Sequence, residues 1–198
     1  MGCVVTEPLS KAELRRRKVP RADFAALPRL PVTLLLDSLK CAHNIGTLLR
    51  LADGLMLEKV WICGDTIVPP NGKIRSSSRG AERWVPWEYA PDALAVARGL
   101  KAGGCRLIAA ELSAGSIPYR EARYDPPLCL ILGREYDGVS PGLLALADEV
   151  VELPLFGMAN SLNVSVVAGV ILYEAAHRLG GPASTCRSSP AEAAATSA

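Results

Sequence analysis

The stretch Leu128-Cys-Leu-Ile-Leu132 runs directly into Gly133-Arg-Glu135-Tyr-Asp-Gly138-Val-Ser140. Five consecutive apolar residues predict a β-strand covered on both faces, as strands of parallel sheets are. The glycines of the following turn permit close approach of a ligand to the backbone. Glu135 is either a site carboxylate or an ordinary turn residue in a salt bridge. The turn matches neither GxGxxG nor GxxxxGK[ST], so the sequence does not support a Rossmann dinucleotide site or a P-loop.

Four further apolar runs follow the same pattern, and segments of helical periodicity lie between them. The predicted strands are residues 32–37, 59–63, 105–110, 128–132 and 150–153. Apolar residues recur at helical spacing over 45–56, 94–100 and 164–179. This alternation predicts an α/β fold with a mostly parallel sheet flanked by helices. Ligands of such sheets bind at the carboxyl ends of the strands.

Two other predicted strands are also followed by unusual polar residues. After the first strand, Asn44 can cap a helix that carries Arg50 about one and a half turns further on. The simpler interpretation is a plain cap and a surface cation. After the last strand, Ser161, Asn163 and Ser165 open the most apolar helix of the chain. A helix that is apolar on nearly every face is expected to be buried, so these polar groups need partners.

Composition predicts one folded domain with basic segments. The chain has 198 residues, of which 49% are hydrophobic and 21% charged, and this excludes an intrinsically disordered protein. The net charge of only +2 hides a basic arm, because residues 1–31 contain seven Lys or Arg and three Asp or Glu. Four cations are adjacent in that arm: Arg15, Arg16, Arg17 and Lys18. The arm is a candidate polyanion contact or a solvated helix face.

A second basic segment lies at residues 73–83, which we predict to be a Gly/Ser-rich loop. It includes Lys73, Arg75 and Arg79 and is followed by Trp84 and Trp87. Cations beside aromatic rings are typical of RNA-binding surfaces. The alternative is that the two tryptophans pack a strand.

Other features indicate a metal-free protein of a reducing compartment. The six cysteines form no CxxC pair, and Cys63, Cys105 and Cys129 lie within apolar runs, so we expect core thiols rather than a zinc site. No apolar stretch approaches the roughly 18 residues that span a bilayer, and we therefore expect a soluble cytoplasmic protein without membrane contact. Residues 180–198 are rich in Ser, Ala and Pro and are expected to form a disordered tail.

Taken in order, the three polar segments resemble the motifs of the SpoU/TrmH family of RNA 2′-O-ribose methyltransferases, which belongs to the SPOUT superfamily. The matching segments are Asn44-Ile-Gly-Thr-Leu-Leu-Arg50, Leu132-Gly-Arg-Glu-Tyr-Asp-Gly-Val-Ser140, and Leu153-Pro-Leu-Phe-Gly157 with Ser161-Leu-Asn-Val-Ser165. The resemblance covers roughly residues 30–178. Arg134 departs from the Asn that many members carry, and Leu155-Phe156 from a frequent Pro-Met.

The resemblance implies a SPOUT methyltransferase domain over residues 31–179, between a basic N-terminal extension (1–30) and the tail. It implies a C-terminal deep trefoil knot, which is among the few exceptions to the absence of knots in proteins. It also implies a homodimer whose active site is completed by the partner subunit, and S-adenosylmethionine (AdoMet) as cofactor. The residues expected to bind AdoMet are Ala110, Glu111, Leu112, Leu132, Gly133, Gly138, Leu153, Leu155, Ser161 and Leu162.

The implied reaction is transfer of a methyl group to a ribose 2′-hydroxyl, without a metal. Arg50 is expected beside that hydroxyl, with Asn44, Glu135, Ser161 and Asn163 shaping the site. A guanidinium has no acceptor atom, so we expect Arg50 to position the ribose and phosphate rather than act as a base. The short basic arm favours tRNA as substrate. A ribosomal RNA methyltransferase and a catalytically silent RNA-binding member remain alternatives.

Overall fold

The computed structural model describes residues 8–16 and 21–181. Residues 8–16 and 21–28 belong to one compact unit, and residues 29–181 belong to another. The elements in chain order are α1 (Lys11–Arg16), α2 (Arg21–Phe24), β1 (Leu30–Asp37), α3 (Ala42–Gly54), β2 (Leu57–Cys63), α4 (Gly72–Ser78), a 3-10 turn (Ala81–Arg83), β3 (Trp87–Ala90), α5 (Ala93–Ala102), β4 (Arg106–Ala110), β5 (Ile117–Pro118), β6 (Leu128–Leu132), α6 (Pro141–Leu146), β7 (Glu149–Glu152) and α7 (Val164–Arg178).

Seven strands form one sheet in the order β3-β2-β1-β6-β4-β7-β5. Every pairing between these strands is parallel. All five strands predicted from the sequence are confirmed, with ends that differ by at most two residues. Of the described strands, only β3 and β5 were not predicted, because β3 (Trp-Glu-Tyr-Ala) lacks the Val, Leu and Ile residues that mark the predicted strands and β5 has only two residues. The predicted parallel α/β sheet is therefore correct, and β6 lies at its centre.

Helices cover both faces of the sheet. In β1, Val32, Leu34 and Leu36 pack with the side chains of α3, α4 and α7, whereas Leu35 packs on the opposite face with α5 and α6. Successive side chains of a strand point to opposite faces, so a strand covered on both sides must be apolar throughout. This explains the continuous apolar runs from which the fold was predicted.

Helix α4 occupies the segment that was expected to be a loop. The side chain of Asn71 caps its N-terminus by accepting hydrogen bonds from the backbone N–H groups of Lys73 and Ile74, and Arg79 ends it in a left-handed conformation. Ile74 is fully buried. The loop prediction was wrong because one capping residue and one buried side chain suffice to form two helical turns here.

Gly46 sets how closely α3 approaches α4. A Cβ atom at Gly46 would lie 2.5 Å from the backbone oxygen of Ile74 and 2.0 Å from Oγ of Ser77. Only glycine permits this contact without displacing one helix. The glycine of the first motif therefore has a packing role that fixes the helix carrying Arg50 against α4.

Helix α7 is buried on one face only. Ile171, Leu172 and Ala175 are in the core, whereas Val166 and Tyr173 are 51% and 61% exposed. The sequence predicts that this helix is buried on every face, and in the single chain this prediction is wrong. Within the described part of the chain, an apolar stripe formed by Val166, Val170 and Tyr173 is left uncovered along α7.

The cysteines in the predicted strands are core residues. Burial is the main cause that raises the pKa of Cys63 to about 12 and that of Cys105 to about 11. Buried thiols of this kind are inert. No helix in the described part of the chain is long and apolar enough to cross a membrane.

Candidate active site

A cavity of about 350 Å³ opens at the carboxyl edge of the sheet. Its walls come from the segments that follow β4, β6 and β7 and from the first turn of α7. All ten residues that the sequence predicts for AdoMet, Ser161 among them, line this cavity, as do Glu135 and Asn163. The volume lies within the range of about 300–1,000 Å³ that is typical of small-molecule pockets.

The turn after β6 is one wall of the cavity and is closed on itself. The backbone N–H of Arg134 donates to the oxygen of Gly138 (3.0 Å), and the N–H of Gly138 donates to the oxygen of Arg134 (3.1 Å). A Cβ atom at Gly133 would lie 2.0 Å from the carbonyl carbon of Gly138. Gly138 itself has a φ of +72°. Both glycines are therefore required by the backbone path of the turn.

Carboxylates on the two strands beside β6 hold this turn. Oε2 of Glu111, which follows β4, accepts a hydrogen bond from the backbone N–H of Val139 (2.8 Å). Oδ2 of Asp37, the last residue of β1, accepts one from the N–H of Ser140 (3.1 Å). Asp37 was not among the site residues predicted from the sequence. Its position at the end of an apolar strand is the signal that could have found it.

Glu135 extends from the turn to the N-terminus of α3. Its Oε2 accepts a hydrogen bond from the backbone N–H of Lys40 (3.1 Å), and its Oε1 accepts from the N–H of Cys41 (3.1 Å) and from Nδ2 of Asn44 (3.0 Å). Two of these donors are backbone N–H groups, and the third is a side-chain amide. The contacts of Glu135 are therefore not those of an ordinary turn residue in a salt bridge. A carboxylate at a helix N-terminus is also favoured by the helix dipole.

Asn44 is not the cap of α3, contrary to the sequence prediction. The N-cap is Cys41, and Asn44 is a buried residue of the first turn. Its Nδ2 donates to Glu135, and its Oδ1 accepts a hydrogen bond from Nδ2 of Asn163 (3.1 Å). Asn163 caps α7 by accepting from the backbone N–H of Ser165 (2.9 Å). A chain of hydrogen bonds thus connects all three motif segments.

The network lowers the pKa of Glu135. Desolvation by burial acts to raise it, but hydrogen bonds from the Lys40 N–H, the Asn44 amide, its own backbone N–H and the Cys41 N–H outweigh desolvation. The ionised carboxylate is therefore the form that the folded structure favours.

Arg50 lies apart from the other predicted catalytic residues. It is exposed on α3, it is not part of the cavity wall, and its side chain forms no hydrogen bond or ion pair with any other residue that the structure describes. Ser161 is exposed at the cavity wall. The fold thus brings Asn44, Glu135, Ser161 and Asn163 together within one chain but leaves Arg50 outside this group.

The basic residues predicted to contact RNA have different surroundings. Lys73, Arg75 and Arg79 are exposed on or directly after α4, and none of them pairs with an acidic side chain in the described part of the chain. In the arm, Arg16 is exposed. The side chain of Arg15 and all of Arg17 and Lys18 lie outside the described residues.

The two tryptophans contribute to packing. Nε1 of Trp84 donates to Asp53 on α3 (2.7 Å), and Nε1 of Trp87 donates to the backbone oxygen of Glu82 (2.9 Å). Both rings pack against the core, and Trp87 begins β3. This supports the alternative that they pack a strand, rather than stack on bases.

Comparisons with known proteins identify similar sequences and folds. The model of the SpoU rRNA Methylase family matches residues 31–173. A tRNA (guanosine(18)-2′-O)-methyltransferase of Thermus thermophilus is 35% identical over 168 residues, which cover 83% of each chain. The structure of the Aquifex aeolicus TrmH/SpoU tRNA modifying enzyme is similar with a TM-score of 0.73 and 29% identity, over 86% of this chain and 88% of that one. An AdoMet-bound rRNA methyltransferase from Sinorhizobium meliloti has a TM-score of 0.72 and 27% identity, over 79% and 60%.

Replacing Glu135 by Gln should destabilise the protein in a pH-dependent way. We expect a loss of about 1 kcal/mol at pH 7, or about 2–4 °C in Tm, because Gln cannot accept all three hydrogen bonds. Since the folded-state pKa is lowered, the ionised carboxylate stabilises the fold above its ordinary pKa of about 4.3, and this stabilisation is lost as pH falls through the folded value. In thermal melts of both proteins, the Tm difference should shrink as the pH is lowered from 7 to 3. Glu121→Gln, an exposed carboxylate outside the network, serves as control. A Tm difference that does not change with pH would contradict this role.

Proposed function

The chain belongs to the SpoU RNA methylase family, and from this membership we propose that it transfers a methyl group from AdoMet to a ribose 2′-hydroxyl of tRNA. The observation that carries the proposal is the hydrogen-bond chain from Glu135 through Asn44 to Asn163, which joins the three family motifs beside one cavity. The relative in Thermus thermophilus, which matches 83% of this chain, is a tRNA methyltransferase, and this favours tRNA over ribosomal RNA.

The cavity suits AdoMet. Its volume of about 350 Å³ is adequate for a small cofactor, and leucines line it beside the closed glycine turn. Leu112, Leu132 and Leu162 offer an apolar surface for a purine ring, while the glycines let a polar ligand reach backbone groups. We therefore assign Ala110, Glu111, Leu112, Leu132, Gly133, Gly138, Leu153, Leu155, Ser161 and Leu162 to the cofactor pocket.

The protein's task in this reaction is mainly positioning. Bound AdoMet would supply the methyl group on its sulfonium: the bond from the ribose 2′-oxygen to the methyl carbon would form as the carbon–sulfur bond breaks in line, and the leaving group would be a neutral thioether. The chain must hold the hydroxyl in that line and give its proton a route to phosphate or water. Ser161 lies at the cavity wall, where it can hydrogen-bond the substrate, and Asn44, Glu135 and Asn163 keep the motif segments in register.

Arg50 is assigned to the ribose and its adjacent phosphate. Its guanidinium carries five donors and no acceptor, so it can bind a phosphate but cannot accept the hydroxyl proton. It is exposed and engages no described acidic partner, which leaves it available for RNA. The neighbouring helix α4 presents Arg75 and Arg79, so the RNA path would continue from α3 along α4.

A homodimer accounts for the separation of Arg50 from the cavity. Arg50 of one copy can complete the cavity of the other, as the family resemblance implies. The uncovered stripe on α7 supports this, together with two almost fully exposed apolar side chains beside it in sequence, Phe156 (95%) and Met158 (99%). Exposed apolar patches of this kind mark protein interfaces. We also propose that the C-terminal part of the domain is threaded as a deep trefoil knot, and tracing the chain in a crystal structure tests this.

Arg50→Ala should abolish methyl transfer and leave the cofactor bound. We expect transfer to tRNA to fall roughly 100-fold or more, because Arg50 orients the reacting ribose, while AdoMet affinity changes less than about threefold. A tritiated-methyl assay and calorimetry measure the two quantities. Arg98→Ala, an exposed arginine on α5, is the matched control. Mapping of 2′-O-methylation in total RNA from cells with and without the protein identifies the nucleotide. Equal loss of transfer and binding would contradict the assignment.

Two inactive variants should complement each other if Arg50 acts across the dimer. Arg50→Ala lacks the arginine, and Ser161→Trp fills the cavity from an exposed position. Each alone should be inactive, whereas co-expressed chains should recover up to about one quarter of wild-type transfer, since half of the dimers are mixed and each has one intact site. A mixture as inactive as its parents would count against a shared site.

The α4 cations should make RNA binding salt-dependent. We expect Arg75→Gln with Arg79→Gln to reduce the slope of log affinity against log salt by about two, roughly one for each lost phosphate contact. Filter binding of tRNA at a series of salt concentrations measures this slope. Arg98→Gln on the opposite face of the sheet should leave it unchanged. An unaltered slope in the double variant would exclude α4 from the interface.

A further inference from the structure

The sheet order places carboxylates on both sides of the cavity turn. Strand β6 lies between β1 and β4, and the strand ends of β1 and β4 therefore flank the turn at residues 133–140. Asp37 ends β1 and Glu111 follows β4. Each is an acceptor-only group when ionised, so each can hold a backbone N–H that the closed turn leaves unpaired.

Glu111 uses both of its oxygens on backbone donors. Oε2 accepts from the N–H of Val139 and Oε1 from the N–H of Leu112, both at 2.8 Å. The side chain thereby ties the segment after β4 to the turn after β6, which are two walls of the same cavity. The contact is close, because a Cβ atom at Gly138 would lie 2.0 Å from Oε2 of Glu111.

Asp37 holds the next residue from the other side. Its side chain is almost fully buried, its Oδ2 accepts from the N–H of Ser140, and its Oδ1 accepts from Oγ of Ser38 (both 3.1 Å). Consecutive N–H groups, those of Val139 and Ser140, are thus bound by carboxylates from opposite sides. Hydrogen bonds to ionised acceptors are about twice as strong as those between neutral groups.

We propose that Asp37 and Glu111 are positioning residues that preorganise the turn at 133–140 for AdoMet. This inference rests on the proposed function and deepens it, because it identifies two further side chains that hold the cofactor-binding turn in place. A turn with two glycines has much conformational freedom to lose. When the carboxylates order it in the free protein, cofactor binding no longer bears that entropic cost.

Glu111→Ala should weaken AdoMet binding without impairing the chemical step. We expect Kd and KM for AdoMet to rise roughly tenfold, while kcat at saturating AdoMet and KM for tRNA stay within about twofold. Glu111→Gln should be intermediate, because it keeps one acceptor oxygen. Asp37→Asn should also raise the Kd. Glu121→Ala, which removes an exposed carboxylate elsewhere, should bind AdoMet as the wild type does.

A double-mutant cycle of Glu111→Ala with Asp37→Asn separates positioning from direct ligand contact, because Asp37 holds the turn but does not line the cavity. Asp37→Asn should weaken binding in the wild-type background and add little in the Glu111→Ala background, where the turn is already released. Additive effects would mean that Glu111 acts on the ligand independently of the turn, and would overturn the proposal. So would a Glu111→Ala variant with wild-type affinity.

Thermal melts show whether each variant is folded, and Glu111→Gln replaces Glu111→Ala in the cycle if the alanine variant does not fold. The test is distinct from that of the activity. A wild-type protein that binds no AdoMet or methylates no RNA contradicts the proposed function. A wild-type protein that does both, with Glu111 variants of equal AdoMet affinity, contradicts only the positioning role.

Discussion

The site depends on one carboxylate at one helix end. Glu135 leaves the turn after β6 and accepts hydrogen bonds from the backbone N–H groups of Lys40 and Cys41, which directly precede α3 and lie 95 and 94 residues earlier in the chain. Through Asn44 it also holds the cap of α7. The start of α3, the cavity turn and the start of α7 are therefore placed by mutual hydrogen bonds rather than by three independent loops. A network of this kind is strong only when every donor and acceptor is satisfied, and no buried side-chain N or O atom of the described residues lacks a partner.

The rest of the site follows from the parallel sheet. Parallel strands bring their carboxyl ends to one edge, so residues distant in sequence meet there. The turn that begins at Gly133 follows β6, and the carboxylates of Asp37 and Glu111 reach it from the two adjacent strands, β1 and β4. The apolar strands make the sheet rigid, and the residues that directly follow them line the cavity and form its hydrogen bonds. This division explains why continuous apolar strands are followed at once by glycine and charge.

Several features escaped prediction because they depend on contacts distant in sequence. Asn44 has the residue type of a cap, but α3 begins two residues before it, so Asn44 lies inside the first turn and its side chain bridges Glu135 and Asn163. The 73–83 segment has loop composition, yet burial of Ile74 against α3 makes part of it a helix. The apolar pattern of α7 predicts burial but cannot distinguish a core from an interface between copies.

The sequence by itself determined the five central strands, their alternation with helices and the segments that line the cavity, because these depend on local periodicity and on residues next to each strand. It also carried the family motifs that point to RNA methylation. Only the tertiary structure decided which side chains meet. It joined Glu135, Asn44 and Asn163, revealed Asp37 beside Glu111, and left Arg50 outside the cavity. Hydrogen-bond partners are fixed by strand order and by side-chain direction, and neither is encoded in the spacing of residues along the chain.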